Sequence, residues 1–163
     1  LAIAEYFKVP LKEAKEALKE YRPIAMRGQI KEVHGMKLID DTYNASPDSM
    51  KSGISMLLEL ESKRRVAVLA DAWELGERSY QLHYEVGEFI AGKKIDLVVT
   101  IGKEAKAIVE AINKKDGTIL TASFHKNEEA IRYLKEQLKP GDAVLIKGSR
   151  GMHTEEIFSQ LSI

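Results

Sequence analysis

Residues 65–100 read RVAVLADAWELGERSYQLHYEVGEFIAGKKIDLVVT. The stretch opens on a short, nearly continuous apolar run, Arg65-Val66-Ala67-Val68-Leu69, and closes on another, Asp96-Leu97-Val98-Val99-Thr100. Between them Leu82, Val86, Phe89 and Ile90 recur at helical spacing. Strands that are apolar on both faces need helices on both faces, which is the condition of a parallel sheet. The stretch therefore predicts a strand–helix–strand unit.

The same alternation extends outward from it. Upstream lie a strand at Lys37-Leu38-Ile39 and a helix marked by Met50, Ile54, Met56-Leu57-Leu58 and Leu60. Downstream, Ala105, Ile108, Val109 and Ile112 mark a helix, and Thr118-Ile119-Leu120 a weaker strand at or beside a sheet edge. Ile131, Leu134 and Leu138 mark the next helix, Ala143-Val144-Leu145-Ile146 a strong strand, and Ile157, Phe158 and Leu161 a last helix. Ser46-Pro47 supplies an N-cap and a first-turn proline, and Pro140-Gly141-Asp142 turns the chain into its last strand. The expected fold is α/β: a Rossmann-like, doubly wound, mostly parallel sheet with helices on both faces.

The front end differs. Leu11 to Tyr21 is a Lys/Glu-rich helical stretch, and Arg22-Pro23 breaks it. Gln29–Val33, a turn at His34-Gly35 and Met36–Asp40 read as a hairpin. Residues 1–21 are thus expected to be the tail of a preceding domain, 22–28 a hinge linker and 29–163 the α/β domain. The start at Leu1 fits a piece cut from a longer chain.

Composition narrows the function. The 163 residues are 44% hydrophobic, enough for a sizeable core, and 25 Lys and Arg balance 25 Asp and Glu. Zero net charge gives no general attraction to nucleic acid or an anionic membrane, leaving only local basic patches. The absence of cysteine removes disulfides, thiolate metal sites and cysteine nucleophiles, and fits a reducing cytoplasm. No apolar run approaches the roughly 20 residues of a membrane helix, and Leu1-Ala2-Ile3-Ala4-Glu5 lacks the basic-then-apolar layout of a signal peptide.

In a doubly wound sheet, ligands sit outside the carboxyl ends of the strands, so the loops there are the candidates. Asp40-Asp41-Thr42-Tyr43-Asn44-Ala45-Ser46-Pro47-Asp48 offers two carboxylates, then polar side chains, then a helix start. Carboxylates suit ribose hydroxyls and helix-start amides suit phosphate; the same residue types also fill an ordinary loop before a helix. Asp71 to Ser79 holds the single Trp, Trp73, read first as packing and second as a ligand platform. Ile101-Gly102-Lys103 reads as structural. Lys147-Gly148-Ser149-Arg150-Gly151-Met152 sets cations, glycines and a hydroxyl behind an apolar strand. It is equally a carboxylate-binding loop, using the planar fork of Arg, or a solvated turn. His34, His83, His125 and His153 have no metal-ligand spacing, and neither G-x-x-x-x-G-K-[ST] nor G-x-G-x-x-G occurs.

Three ordered stretches carry a resemblance. Asp40 to Met50 is similar to the D-D-x-Y-N-A-N-P-x-S-M pattern of Mur ligases of the MurF type, the UDP-N-acetylmuramoyl-tripeptide–D-alanyl-D-alanine ligases, with Ser46 in place of the second Asn. Val68 to Glu77 resembles V-L-G-D-M-x-E-L-G-E, with Ala70 and Ala72 replacing Gly and Met, and Val144 to Met152 resembles V-L-V-K-G-S-R-x-M. The match runs from about Tyr21 to the end of the chain. It implies the Rossmann-like C-terminal domain of a three-domain enzyme, residues 1–21 then ending the central ATPase domain. That domain would hold the missing phosphate-binding loop and most of the magnesium coordination, so no metal site is expected here.

The implied reaction activates the carboxylate of a UDP-MurNAc-tripeptide with ATP, and the amine of D-Ala-D-Ala attacks the acyl phosphate. By the same resemblance Arg27 reaches the ATP phosphates, Arg22 being the other arginine available. Asp41 takes the ATP ribose, and Tyr43 and Asn44 border adenine or phosphate. Lys147, Gly148, Ser149 and Arg150 form the D-Ala-D-Ala site, with Arg150 or Lys147 facing the dipeptide carboxylate. Asp71, Glu74 and His83 receive no role, and His83, mid-helix, reads as structural. The domain is expected to be cytoplasmic, inactive alone, partnered by its own central domain, and without nucleic-acid or membrane partners. Two alternatives stand: the C-terminal domain of another Mur ligase or a folylpolyglutamate synthase-like enzyme, or a non-catalytic nucleotide- or protein-binding module.

Overall fold

In the computed structural model of the chain, which describes residues 1–20 and 24–163, two helices precede the sheet: α1 (Ala2–Tyr6) and α2 (Leu11–Glu20). The sequence foresees α2 but not α1, and Tyr21, Arg22 and Pro23, the expected helix end and breaker, lie outside the described residues. Neither helix buries a residue, and Ile3, Tyr6, Phe7 and Leu18 are exposed.

The hairpin forms as read. β1 (Gln29–Val33) pairs antiparallel with β2 (Met36–Asp41). His34 (φ 50°) and Gly35 (φ 75°) form the turn, the two positive φ values that a two-residue hairpin loop requires. Parallel strands follow: β3 (Arg64–Ala70), β4 (Leu97–Ile101), β5 (Leu120–Phe124) and β6 (Asp142–Lys147). The six described strands lie in the order β1-β2-β6-β3-β4-β5, with β1 alone antiparallel to its neighbour.

Helices cover both faces because each parallel crossover must be right-handed. Crossovers that step from β2 towards β5 place α3 (Pro47–Glu59), α4 (Ser79–Ile90) and α5 (Lys106–Lys115) on one face, against Ala67, Leu69 and Leu145. The return from β5 to β6 runs the other way. It places α6 (Asn127–Gln137) on the opposite face, joined by α7 (Glu155–Leu161), against Val66, Val68, Val144 and Ile146. Alternate residues of one strand thus feed two cores. Fully buried side chains such as Leu38, Ile54, Leu69 and Leu145 each contribute about 1.5–3 kcal/mol relative to exposure.

One strand is displaced from its expected place. Thr118-Ile119-Leu120 leads into the edge strand rather than forming it, and the strand is Leu120–Phe124. Ile119 is buried but Leu120 is 64% exposed, and Ala122 and Phe124 pack against the α6 face. An edge strand of mixed polarity hides its register from an apolar-run reading.

Candidate functional site

β6 leaves the sheet towards the opposite face from both its neighbours, β2 and β3. That divergence opens a crevice at their carboxyl ends. Strand register puts Lys147 beside Asp41 on one side and Leu69 on the other.

The carboxylate doublet divides because successive strand residues point to opposite faces. Asp40 is buried, and its Oδ1 accepts from Thr42 Oγ1 at 2.7 Å, shaping the exit from β2. Asp41 turns to the crevice. Lys147 Nζ donates to Asp41 Oδ2 at 2.5 Å and to the Asn44 carbonyl at 2.9 Å. The Lys147 side chain is 3% exposed and that of Asp41 21%, so a desolvated ammonium fixes one carboxylate oxygen and one loop carbonyl.

Beyond Asp41 the loop is rigidly seated. The Tyr43 N–H donates to the Met26 carbonyl, and the Arg27 guanidinium lies 4.0 Å over the Tyr43 ring, a cation–π contact. Asn44 Oδ1 accepts from the Ala45 N–H, leaving its amide nitrogen as a donor. Ser46 caps α3 in a reciprocal box with Ser49, and Pro47 follows at the first helical position. Arg27, Asp41, Tyr43, Asn44 and Lys147 together line one cavity of about 500 Å³.

Of residues 147–152, Arg150 presents its side chain to solvent, and His153 just beyond is exposed as well. Gly148 lies against Ala70 and Thr154, where an added Cβ would stand 2.8 Å from each. Ser149 is buried; its N–H donates to the Asp71 carbonyl and its Oγ accepts from the Trp73 N–H at 2.8 Å. Arg150 pairs with Glu155 at 3.2 Å and points a second contact at Met26 Sδ at 3.5 Å. Lys147 therefore belongs with the Asp41 cavity, while Arg150 stands at its rim beside the residue preceding Arg27.

Trp73 corrects the packing expectation: its side chain is not in the core but 52% exposed, seated on Gly151. A Cβ at Gly151 would lie 2.0 Å from Trp73 Cζ3, so the missing side chain makes the seat. Asp71 and His83 are structural. The Asp71 carboxylate accepts from the N–H groups of Lys103 and Ala105 at the start of α5, and Gly102 (φ 109°) brings the backbone against it. His83 Nε2 accepts from the Ala72 N–H at 3.0 Å. The ring proton then sits on Nδ1 and is donated to the Ser79 carbonyl at 2.8 Å. Glu74 is exposed.

Sequence reasoning missed Ser49, Ser52 and Met56, which also line the cavity. The usable signal was two small polar residues three apart at the start of a helix, one side of which looks back over β6.

Comparison with known proteins agrees with this geometry. Residues 26–150 match the family model described as Mur ligase, glutamate ligase domain. A UDP-N-acetylmuramoyl-tripeptide–D-alanyl-D-alanine ligase of Bacillus subtilis is 35% identical over 163 residues, 99% of this chain and 36% of the relative. MurF from Acinetobacter baumannii superposes with a TM-score of 0.82 at 28% identity, over 99% of this chain and 35% of that one. MurF ligase from Thermotoga maritima, solved in complex with ADP, gives 0.79 at 28% identity, over 99% and 36%. The chain spans about a third of the length of the curated relatives it matches. It belongs to the Mur ligase family, and residues 26–150 are its glutamate ligase domain.

Proposed function

We propose that the chain is the C-terminal domain of an ATP-dependent peptide ligase that joins D-Ala-D-Ala to a UDP-MurNAc-tripeptide in peptidoglycan synthesis, inactive until its preceding domains complete the site. The observation that carries this reading is the convergence of Arg27, Asp41, Tyr43, Asn44 and Lys147 on one cavity at the sheet's switch point. The ADP complex of the Thermotoga maritima relative supports a nucleotide as the cavity's ligand. ATP supplies the phosphoryl group that turns a carboxylate into an acyl phosphate.

The residues of this chain divide the remaining work. Lys147 occupies Asp41 Oδ2, so Oδ1 is left to accept from ribose hydroxyls. Tyr43 carries an aromatic face for the base or its edge, and Arg27, stacked on it, swings its guanidinium to phosphate oxygens where negative charge builds. Arg150, at the rim, receives the dipeptide carboxylate in exchange for Glu155, which fixes the amine's approach. Among the described residues no group of three His, Asp or Glu side chains could hold a metal. No step here passes through magnesium, which we place on the preceding domain.

Residues 1–21 are read as the end of that domain and 22–28 as the hinge whose closure brings Arg27 to the phosphates and Arg150 to the dipeptide carboxylate. The exposed apolar residues of α1 and α2 support a partner surface of this kind. Among the described residues no helix is long and apolar enough to cross a membrane, consistent with the proposed cytoplasmic site of action.

The test is ATP-dependent ligation by the intact enzyme, followed as ADP release with UDP-MurNAc-tripeptide and either D-Ala-D-Ala, D-Glu or L-Ala as the amine. Turnover with D-Ala-D-Ala alone is the expected result. Turnover with a different amine, or none with any, overturns the assignment.

A further inference from the structure

At the opposite pole of the sheet, the amino ends of β3, β4 and β5 frame a second cavity, of about 610 Å³. Lys63 enters it from the turn before β3, Arg64 and Arg65 from the first two residues of that strand, and Lys93 and Lys94 from the turn before β4. The chain as a whole carries no net charge, so five cations around one recess are a local concentration.

Little offsets them. Arg64 pairs with the buried Asp142 at 3.2 Å and donates to the Gln137 carbonyl at 3.2 Å. The Arg65 guanidinium is pinned by the Leu60 carbonyl at 3.0 Å, and Asp96, the one carboxylate among the described residues that line the cavity, accepts the Arg65 backbone N–H at 2.8 Å. Lys93 Nζ lies 4.2 Å from the Phe89 ring centroid. Among the described residues no carboxylate lies within ion-pair distance of Lys63, Arg65, Lys93 or Lys94. The Leu60 carbonyl holds the Arg65 fork in place without neutralising it, whereas Asp142 offsets the charge of Arg64, and lysines surround the Arg65 fork as mobile point charges. A fixed fork beside flexible ammonium groups matches phosphate oxygens, and its pre-set geometry lowers the ordering cost of binding.

We infer that this cavity binds a small anion bearing two or more phosphate groups, at a site separated from the Asp41 cavity by the length of the sheet. Its recessed shape selects a compact anion over a flat lipid surface. A ligand there contacts the turns that launch β3 and β4, the strands whose far ends carry Asp71, Trp73 and Gly102.

The test uses inorganic pyrophosphate titrated into the 163-residue chain at low salt, followed by amide NMR. Saturable shifts at residues 63–65 and 93–96 are expected, weakening as salt is added. A Lys63→Gln/Lys94→Gln double variant, both positions exposed, is expected to lower affinity at least tenfold with an unchanged far-ultraviolet circular dichroism spectrum. Shifts confined to Arg27, Asp41 and Lys147, full affinity in the double variant, or no saturable binding would each overturn the inference. Sedimentation with phosphatidylglycerol vesicles that pyrophosphate does not compete away would overturn it in favour of a lipid headgroup.

Discussion

Replacing Lys147 by Met removes one ammonium and little volume, so it tests the central ion pair of the site directly. The lysine is 3% exposed, with partners at 2.5 Å on Asp41 and 2.9 Å on Asn44. Removing one partner of a buried pair costs about 3–5 kcal/mol, because the other charge is left without compensation. Asp41 keeps 21% of its side chain accessible, so water entering the cavity offsets part of that penalty. The expected loss is then about 2–3 kcal/mol, just below that range. For a chain of this size that lowers Tm by roughly 4–12 °C.

Urea unfolding of the 163-residue chain, followed by circular dichroism, measures the loss. The double variant Lys147→Met/Asp41→Asn separates pairing from packing, since it leaves no unpaired carboxylate. Its loss should be at least about 1 kcal/mol smaller than the sum of the two single losses, within the range seen for residues in contact. Additive losses, or a Lys147→Met variant within about 0.5 kcal/mol of the parent as at an ordinary surface site, would show that the pair does not organise the loop. If Asp41 receives the ribose as proposed, the same substitution in the intact enzyme should raise the KM for ATP more than it lowers kcat, because it frees that carboxylate.

Arg27→Ala in the intact enzyme should cut turnover at least about tenfold, equivalent to about 1.4 kcal/mol of transition-state stabilisation; unchanged steady-state kinetics would refute its phosphate role. Gly151→Ala places a Cβ 2.0 Å from Trp73 and should displace the indole. The cost should be about 1–3 kcal/mol, typical of overpacking. The single Trp reports the displacement as a fluorescence change, and Trp73→Leu in the same chain should recover stability. Asp116 has its pKa lowered by hydrogen bonds from the Thr118 hydroxyl, the Thr118 N–H and the Gly92 N–H. Its stabilisation is therefore present above the ordinary carboxylate range and lost as pH falls through its lowered folded value. Carboxyl NMR titration should show this midpoint below that of a free Asp, and Thr118→Val should raise it.

How much of this was legible in the sequence depends on the range of the forces involved. The hairpin turn at His34-Gly35 and the cap at Ser46-Pro47 are local, and both stand where the residue types put them. The parallel sheet was legible because Val66, Val68, Val98 and Val144 are buried whichever way they face. The strand at Leu120–Phe124 was not, because an edge strand leaves half its side chains in water. Trp73 follows a buried strand in a loop with no period, so nothing local says whether the ring packs inward. Its seat, Gly151, is far along the chain. Lys147 and Arg150 looked equivalent as two cations in one loop. Lys147 is the last residue of β6 and inherits the strand's pleat, whereas Arg150, three residues on, does not, so one is buried and the other exposed.

That difference gives the loop after β6 its mechanical character. Lys147 clasps the Asp41–Asn44 loop, Ser149 clasps the Trp73 backbone, and Arg150 reaches Met26 next to Arg27. Three of four consecutive residues thus tie the carboxyl end of β6 to three separate segments that enter the crevice. A ligand that moves Asp41 must work against Lys147, and Lys147 is joined to Arg150 through buried backbone with little room to yield at Gly148. In the reading proposed here, the nucleotide cavity and the cation that meets the second substrate are therefore two ends of one short, tightly held segment.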